Sequence, residues 1–187
     1  MRKLVVFDNI SLDGYFTDAA GDMSWAHKSD PEWIEFTSNN ASGGGMLLFG
    51  RKTYDMMASY WPTEAAMKAM PVVAENMNSM PKVVFSRTMT APTWKNTRLV
   101  NSHIADAVRQ LKEEPGPGMA IMGSGTIVAQ LTDAGLIDEY QIVTHPLALG
   151  GGRTLFEGIK SRLNLRTAES RLFKNGCVFT RYIRAPS

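Results

Sequence analysis

A single cysteine, Cys177, and only three histidines occur among the 187 residues. One thiol can form neither an intramolecular disulfide nor a cluster of thiolate metal ligands, which excludes a disulfide scaffold and a cysteine-rich metal site. Excess charge is missing too. Twenty basic residues face 18 acidic ones, the formal net charge is +2, and the basic residues are scattered. Nucleic-acid partners leave a larger and more clustered footprint. No apolar run approaches the roughly 20 residues that cross a bilayer, and the N-terminus enters a strand pattern directly, without a signal peptide. The expectation is a cytoplasmic soluble protein that binds neither nucleic acid nor membrane.

What remains is an ordinary globular composition, 44% apolar and 20% charged. At this length the size prior gives one domain over 1–187, with a full core. Within it, one stretch passes from a short apolar run through a glycine into two cations and a hydroxyl: Met46-Leu47-Leu48-Phe49-Gly50-Arg51-Lys52-Thr53-Tyr54. An unbroken apolar run suits a strand buried on both faces. Gly50 allows a sharp turn or a close approach, and Arg51, Lys52 and Thr53 then fall on a helix's first turn, where free N–H groups attract anions. Alone, this reads first as a strand-to-helix turn with solvated basic residues. A second unit of the same kind follows in Met119-Ala120-Ile121-Met122-Gly123-Ser124-Gly125-Thr126-Ile127-Val128. Ser124 is a natural N-cap there, and the glycines give backbone access. Val128 stands where a dinucleotide fingerprint has its third glycine, so no Rossmann domain is indicated. Two such junctions in one small chain point to a shared, multiply anionic ligand.

Elsewhere the chain alternates. Lys3 to Phe7 reads as a central first strand, followed by the turn dipeptide Asp13-Gly14 and a polar loop from Asp18 to Trp25. Asp30-Pro31-Glu32 opens a helix: Asp30 caps, Pro31 suits the first position, and Glu32 either complements the dipole or faces a pocket. Thr63 to Met80 reads as one short helix and an irregular connection, its methionines filling core gaps. Lys82 to Phe85 is a strand leading into Ser86-Arg87-Thr88, and Leu99-Val100 is a short one. Asn101-Ser102 caps a helix over His103–Glu114, and Gly135 ends the helix that starts at Ser124. Asp138–Thr144 is a strand ending at His145-Pro146. Leu163–Phe173 and Val178–Ile183 form a hairpin around Asn175-Gly176. The order predicts an α/β fold with a mostly parallel sheet and an antiparallel edge, its strand ends at Phe7, Phe49, Phe85 and Met122 converging on one cleft.

These motifs, in this order, resemble the dihydrofolate-reductase-like fold, and most closely the C-terminal reductase domain of the bifunctional riboflavin-biosynthesis deaminase-reductase. The residues that carry the likeness are Ser11-Leu12-Asp13-Gly14, Leu48 to Tyr54, Ser86-Arg87-Thr88, Gly123-Ser124-Gly125 and the glycine-rich stretch from Pro146 to Phe156. No deaminase part with zinc-ligand spacing precedes them, so the chain looks like a stand-alone reductase. The resemblance implies NADPH as cofactor, with Gly50, Arg51, Lys52 and Thr53 on the pyrophosphate and 2′-phosphate side. Ser86 and Arg87 would meet the adenine-ribose phosphate, and Gly123, Ser124, Gly125 and Thr126 would wrap the pyrophosphate.

The implied reaction is hydride transfer to a C=N or C=O carbon of a small polar substrate, with Asp13 and Glu32 as the catalytic carboxylates. Glu32 and Phe36 have the spacing of the pterin-binding pair of dihydrofolate reductases, so a true dihydrofolate reductase is one alternative. A nucleotide-binding protein without turnover is another. The family's substrate carries a ribose phosphate, for which Arg153 and Lys28 are the available substrate-side cations. A sheet edge left by the closing hairpin is compatible with a homodimer.

Overall fold

A computed structural model describes residues 1–27, 30–42 and 44–185. The first strand, β1 (Leu4–Ser11), alternates between two apolar faces: Leu4 and Val6 enter one core and Phe7 the other. It lies near the middle of an eight-stranded sheet. On one side it pairs in parallel with the strand Met119–Met122, and on the other with the strand Glu139–His145.

In chain order the elements are β1, β2 (Tyr15–Thr17), α1 (Pro31–Ser42), β3 (Met46–Gly50), α2 (Arg51–Tyr60), α3 (Glu64–Ala69), α4 (Pro71–Ser79), β4 (Lys82–Phe85) and β5 (Thr97–Val100). Then come α5 (Ile104–Glu113), β6 (Met119–Met122), α6 (Gly125–Asp133), β7 (Glu139–His145), β8 (Arg153–Thr154), β9 (Leu165–Leu172) and β10 (Val178–Arg184). The sheet order is β5-β4-β3-β6-β1-β7-β10-β9, and β2 pairs with β8 apart from it. β10 is antiparallel to β7 and β9 to β10, as the Asn175-Gly176 turn requires. All other pairs in the large sheet are parallel. The α/β reading therefore holds, with the hairpin as the antiparallel edge.

Helices cover both faces. Val108 and Leu111 of α5 and Ile127, Val128 and Leu131 of α6 pack on Leu4, Val6, Leu48 and Ile121. On the other face Trp33 and Phe36 of α1 meet Phe7, Val143 and Phe179, while Tyr54 of α2 and Val73 and Met77 of α4 meet Leu47, Phe49 and Val84. Met57, Met70, Met80, Met89 and Met122 fill this second core as gap-filling side chains.

Some boundaries differ from the sequence reading. Thr63–Met80 holds two helices rather than one and a loose connection, because Pro71 takes the first helical position of α4 instead of ending order. At α5 the N-cap is His103, with no side-chain capping bond, so Asn101 and Ser102 do not cap. The Asp30 cap is confirmed by its bond from the Trp33 N–H at 3.0 Å.

Candidate functional site

All six parallel strands run the same way, so β1, β3, β4, β5, β6 and β7 end on one edge of the sheet. Two junctions dominate that edge. At Gly50 the backbone is extended, and α2 starts without a side-chain cap. At Gly123 and Ser124 both residues are left-handed (φ +68° and +78°), which swings the chain from β6 into α6, again without a side-chain cap. Ser124 is thus an N-cap by position only. Its hydroxyl is packed against Gly50, where a Cβ would collide with it. A Cβ on Gly123 would in turn come within 3.2 Å of Thr53. The two junctions are in direct contact, and both helices start there without a side-chain cap.

Beside them lies a cleft of about 690 Å³. Lys52, Thr53 and Met56 of α2 form one wall, Gly123 belongs to the floor, and the segment Phe16–Gly21 with Gly152 and Arg153 forms the opposite wall. That second wall is held by the β2–β8 pair, in which Thr17 is in register with Arg153. Gly152, at φ +144°, has room for no side chain, because a Cβ would run into the Thr17 carbonyl. Gly125 is closed in the same way by the carbonyl of Thr154.

Of the cofactor residues expected from sequence, Lys52, Thr53 and Gly123 line the cleft, while Gly50, Ser124 and Gly125 build its backing. Arg51 and Thr126 are exposed at the two helix starts. Ser86 follows β4 and accepts N–H bonds from Thr88 and Met89, which turns the chain and leaves Arg87 exposed at the neighbouring strand end. Among the described residues Arg51, Lys52, Arg87 and Arg153 make no ion pair. Arg153 lines the same cleft as Lys52. Lys28 lies outside the described residues.

The two carboxylates singled out as catalytic sit elsewhere on the edge, and both are engaged. Asp13 accepts from the Ser11 hydroxyl at 2.6 Å and from the N–H groups of Leu149 and Gly150 at 3.0 and 2.7 Å. These bonds hold its pKa down at about 2. Glu32 accepts from the Lys174 N–H at 3.0 Å and pairs with Arg171 at 2.9 Å, contacts that lower its pKa as well. Neither lines the cleft.

A third acid, Asp8, was not visible as a site residue because it lies inside an apolar strand run. It is 3% exposed on β1. Burial raises its pKa to about 7, although the Asn9 and Gly123 N–H groups bond to it. One carboxyl oxygen has no partner among the described residues. On the opposite face, His145 is buried between Trp25 and Trp33, with Asn9 Oδ1 at 2.9 Å from one ring nitrogen and Cys177 Sγ at 3.4 Å from the other. It is a satisfied structural histidine.

A mostly parallel sheet with helices on both faces, an antiparallel C-terminal edge and a glycine-built cleft at its strand ends defines the dihydrofolate-reductase-like class. Within that class the chain belongs to the RibD C-terminal domain family, whose model matches residues 2–179. Two Bacillus subtilis proteins, YyaP and YwjB, both uncharacterised, are 28% identical over 95% of this chain and 92% of theirs, and 24% identical over 98% and 99%. A Shewanella sp. PV-4 structure, provisionally named a riboflavin biosynthesis protein, is 26% identical, covers 98% of this chain and 99% of its own, and has a TM-score of 0.75. A pyrimidine reductase-like protein from Corynebacterium diphtheriae shares the fold at TM-score 0.68 and 13% identity, over 100% of this chain and 93% of its own. The diaminohydroxyphosphoribosylaminopyrimidine deaminase/5-amino-6-(5-phosphoribosylamino)uracil reductase of Thermotoga maritima shares it at 0.67 and 14%. That match covers 98% of this chain and 57% of the bifunctional protein.

Proposed function

We propose that this protein is an NADPH-dependent reductase, related to 5-amino-6-(5-phosphoribosylamino)uracil reductase, that delivers a hydride to a C=N or C=O carbon of a small polar substrate. The observation that carries the proposal is the contact between the two strand-to-helix junctions at Gly50 and Gly123, beside Lys52, which makes no ion pair among the described residues. A multiply charged anion fits such a place, because two helix starts without side-chain caps adjoin it and Lys52 and Thr53 line the cleft beside it.

When bound, the dinucleotide supplies the hydride. The chain's part is to hold donor and acceptor carbons in line and to shield them from water. Lys52, Thr53 and the N–H groups after Gly50 and Gly123 fix the pyrophosphate, and Arg51, Ser86 and Arg87 take the 2′-phosphate side. Asp13 keeps the glycine-rich loop at Leu149 and Gly150 in place. Of Asp8, Asp13 and Glu32, only Asp8 has its pKa raised toward neutral pH, and the other two are lowered. The engagement of Glu32 by Arg171 and Lys174 favours the riboflavin-type reading over a true dihydrofolate reductase. Homodimerisation through the outer edge of β9 is a further proposal, tested by light scattering.

Calorimetric titration with NADPH and NADH tests the function. NADPH is expected to bind more tightly, and Arg51→Ala and Arg87→Ala to erase about 1–3 kcal/mol of that preference, as loss of charge-assisted phosphate bonds does. Failure of both nucleotides to bind the wild type would end the proposal.

A further inference from the structure

Beside the floor of the cleft lies an acid that the hydride chemistry does not use. Phe7 and Met122 are in register on β1 and β6, so the next residues along, Asp8 and Gly123, lie side by side. Gly123 lines the cleft, while Asp8 is 3% exposed, on the face of β1 that Leu4 and Val6 also occupy. Its carboxyl accepts the Asn9 N–H at 3.1 Å, and the Gly123 N–H lies close enough to favour its charged form. The second carboxyl oxygen is sealed from solvent and has no hydrogen-bond partner among the described residues. One peptide unit therefore separates a buried acid from the floor of the cleft.

Among the described residues, the elements packed around Asp8 direct their own charges elsewhere. β6 has no titratable side chain, and the one in α6, Asp133, is at that helix's far end, on the Lys160 N–H. In β7, Glu139 pairs with Lys3 and Arg181 at the opposite end of the strand, Tyr140 meets the Thr132 hydroxyl, and His145 packs between two tryptophans on the other face of the sheet. The neighbouring helix α5 pairs Arg109 with Asp106 and Lys112 with Asp138. Tyr15 stands on β2, and on the cleft side of Gly123 are Lys52 and, across the cleft, Asp18 and Arg153. Burial dominates at Asp8, the two N–H groups offset it only in part, and the pKa rises to about 7.

We propose that Asp8 is a positioning residue that couples this site to a proton: acting through Gly123, it favours a phosphate-bearing ligand at the junction when its carboxyl is neutral and opposes one when it is ionised. This rests on the dinucleotide reading above and adds a control to it. A carboxylate and a phosphate on the two sides of one peptide unit repel, and burial of the carboxylate leaves that repulsion weakly screened. Arrival of the ligand therefore draws a proton from solvent onto Asp8. By the reciprocity of linked equilibria, loss of that proton loosens the ligand.

Calorimetric titration with NADPH compares wild type and Asp8→Asn at pH 6 and pH 8. At pH 8 it is repeated in HEPES and in Tris, whose different heats of ionisation count the protons taken up on binding. The ligand's own 2′-phosphate is already ionised at that pH and takes none. From pH 6 to pH 8 wild type is expected to lose about fivefold in affinity relative to Asp8→Asn and, at pH 8, to take up about 0.4 of a proton, as a tenfold weaker affinity for the ionised form implies. Asp8→Asn takes up none. A carboxyl that only shapes the turn would shift the affinity of Asp8→Asn equally at both pH values and leave the proton count unchanged. The coupling is wrong if the two proteins share one pH profile, or if wild type takes up no proton at pH 8. If Asp8→Asn does not fold, the carbon-13 resonance of the Asp8 carboxyl decides: it moves toward its protonated position as NADPH is added to wild type at pH 8, and an unmoved resonance overturns the coupling. Absence of NADPH binding to wild type at both pH values ends the dinucleotide reading and the coupling with it, whereas binding without proton uptake ends the coupling alone.

Discussion

The Ser124 side chain occupies the volume that a Cβ on Gly50 would need. The backbone at Gly50 is itself unstrained, with φ −78° and ψ 159°, so the glycine is required by its neighbour rather than by its own conformation.

Gly50→Ala is therefore expected to destabilise the fold by about 1–3 kcal/mol through overpacking against Ser124 and Ile127. Ser124→Gly removes the obstacle and also relieves a left-handed non-glycine residue, so the double variant recovers most of the loss. Urea unfolding of the two single variants and the double variant checks this. Strict additivity would show that the two junctions are not coupled.

Asp8 makes stability depend on pH. Burial raises the pKa of its carboxyl from 3.8 to about 7, so below that pH the group is mostly neutral in the fold. A raised folded-state value gives stability that is fully present at low pH and lost as pH climbs toward the folded value. Between pH 5.5 and 7 the loss from this group is about 2 kcal/mol, and it levels off above. Asp8→Asn should flatten the curve and exceed the wild type in urea midpoint at pH 8.5. Parallel curves for the two proteins would remove Asp8 as the cause.

Asp13 has the opposite sign. Bonds from Ser11, Leu149 and Gly150 lower its pKa to about 2, so its contribution is present above the ordinary carboxylate range and disappears as pH falls through that value. At neutral pH Asp13→Asn is expected to loosen the loop that carries Leu149 and Gly150. Hydrogen exchange of those two amides should accelerate, with the β1 amides unchanged.

Glu32 offers a test between two reductase chemistries. A carboxylate already held by Arg171 and the Lys174 N–H is not free to take up a pterin ring. The expected result is no tight methotrexate binding by the wild type, and NADPH affinity unchanged in Glu32→Gln. Tight methotrexate binding that Glu32→Gln abolishes would favour a true dihydrofolate reductase.

The parallel sheet and its two junctions were legible because each is written locally, as an apolar run that ends in glycine before cations or hydroxyls. The strands of β2 and β8, three and two residues long, carry no periodicity, so the pairing of Thr17 with Arg153 is not legible in the sequence. Asp8 was hidden for a different reason. Within Leu4 to Ser11 it has the spacing of a core residue, and only the three-dimensional neighbourhood reveals a buried acid next to Gly123. Pro71 was misread because proline both ends helices and starts them, and here the second role prevails.

The position of β1 between β6 and β7 has a consequence for biosynthesis. Its partners, Met119–Met122 and Glu139–His145, are made more than a hundred residues after it, so β1 leaves the ribosome long before either neighbour. Contacts of such long range slow folding, and unpaired strand edges are exposed while it proceeds. A nascent chain that stops at residue 118 leaves Leu4 to Phe7 without either flanking strand, and it is a natural client for a chaperone.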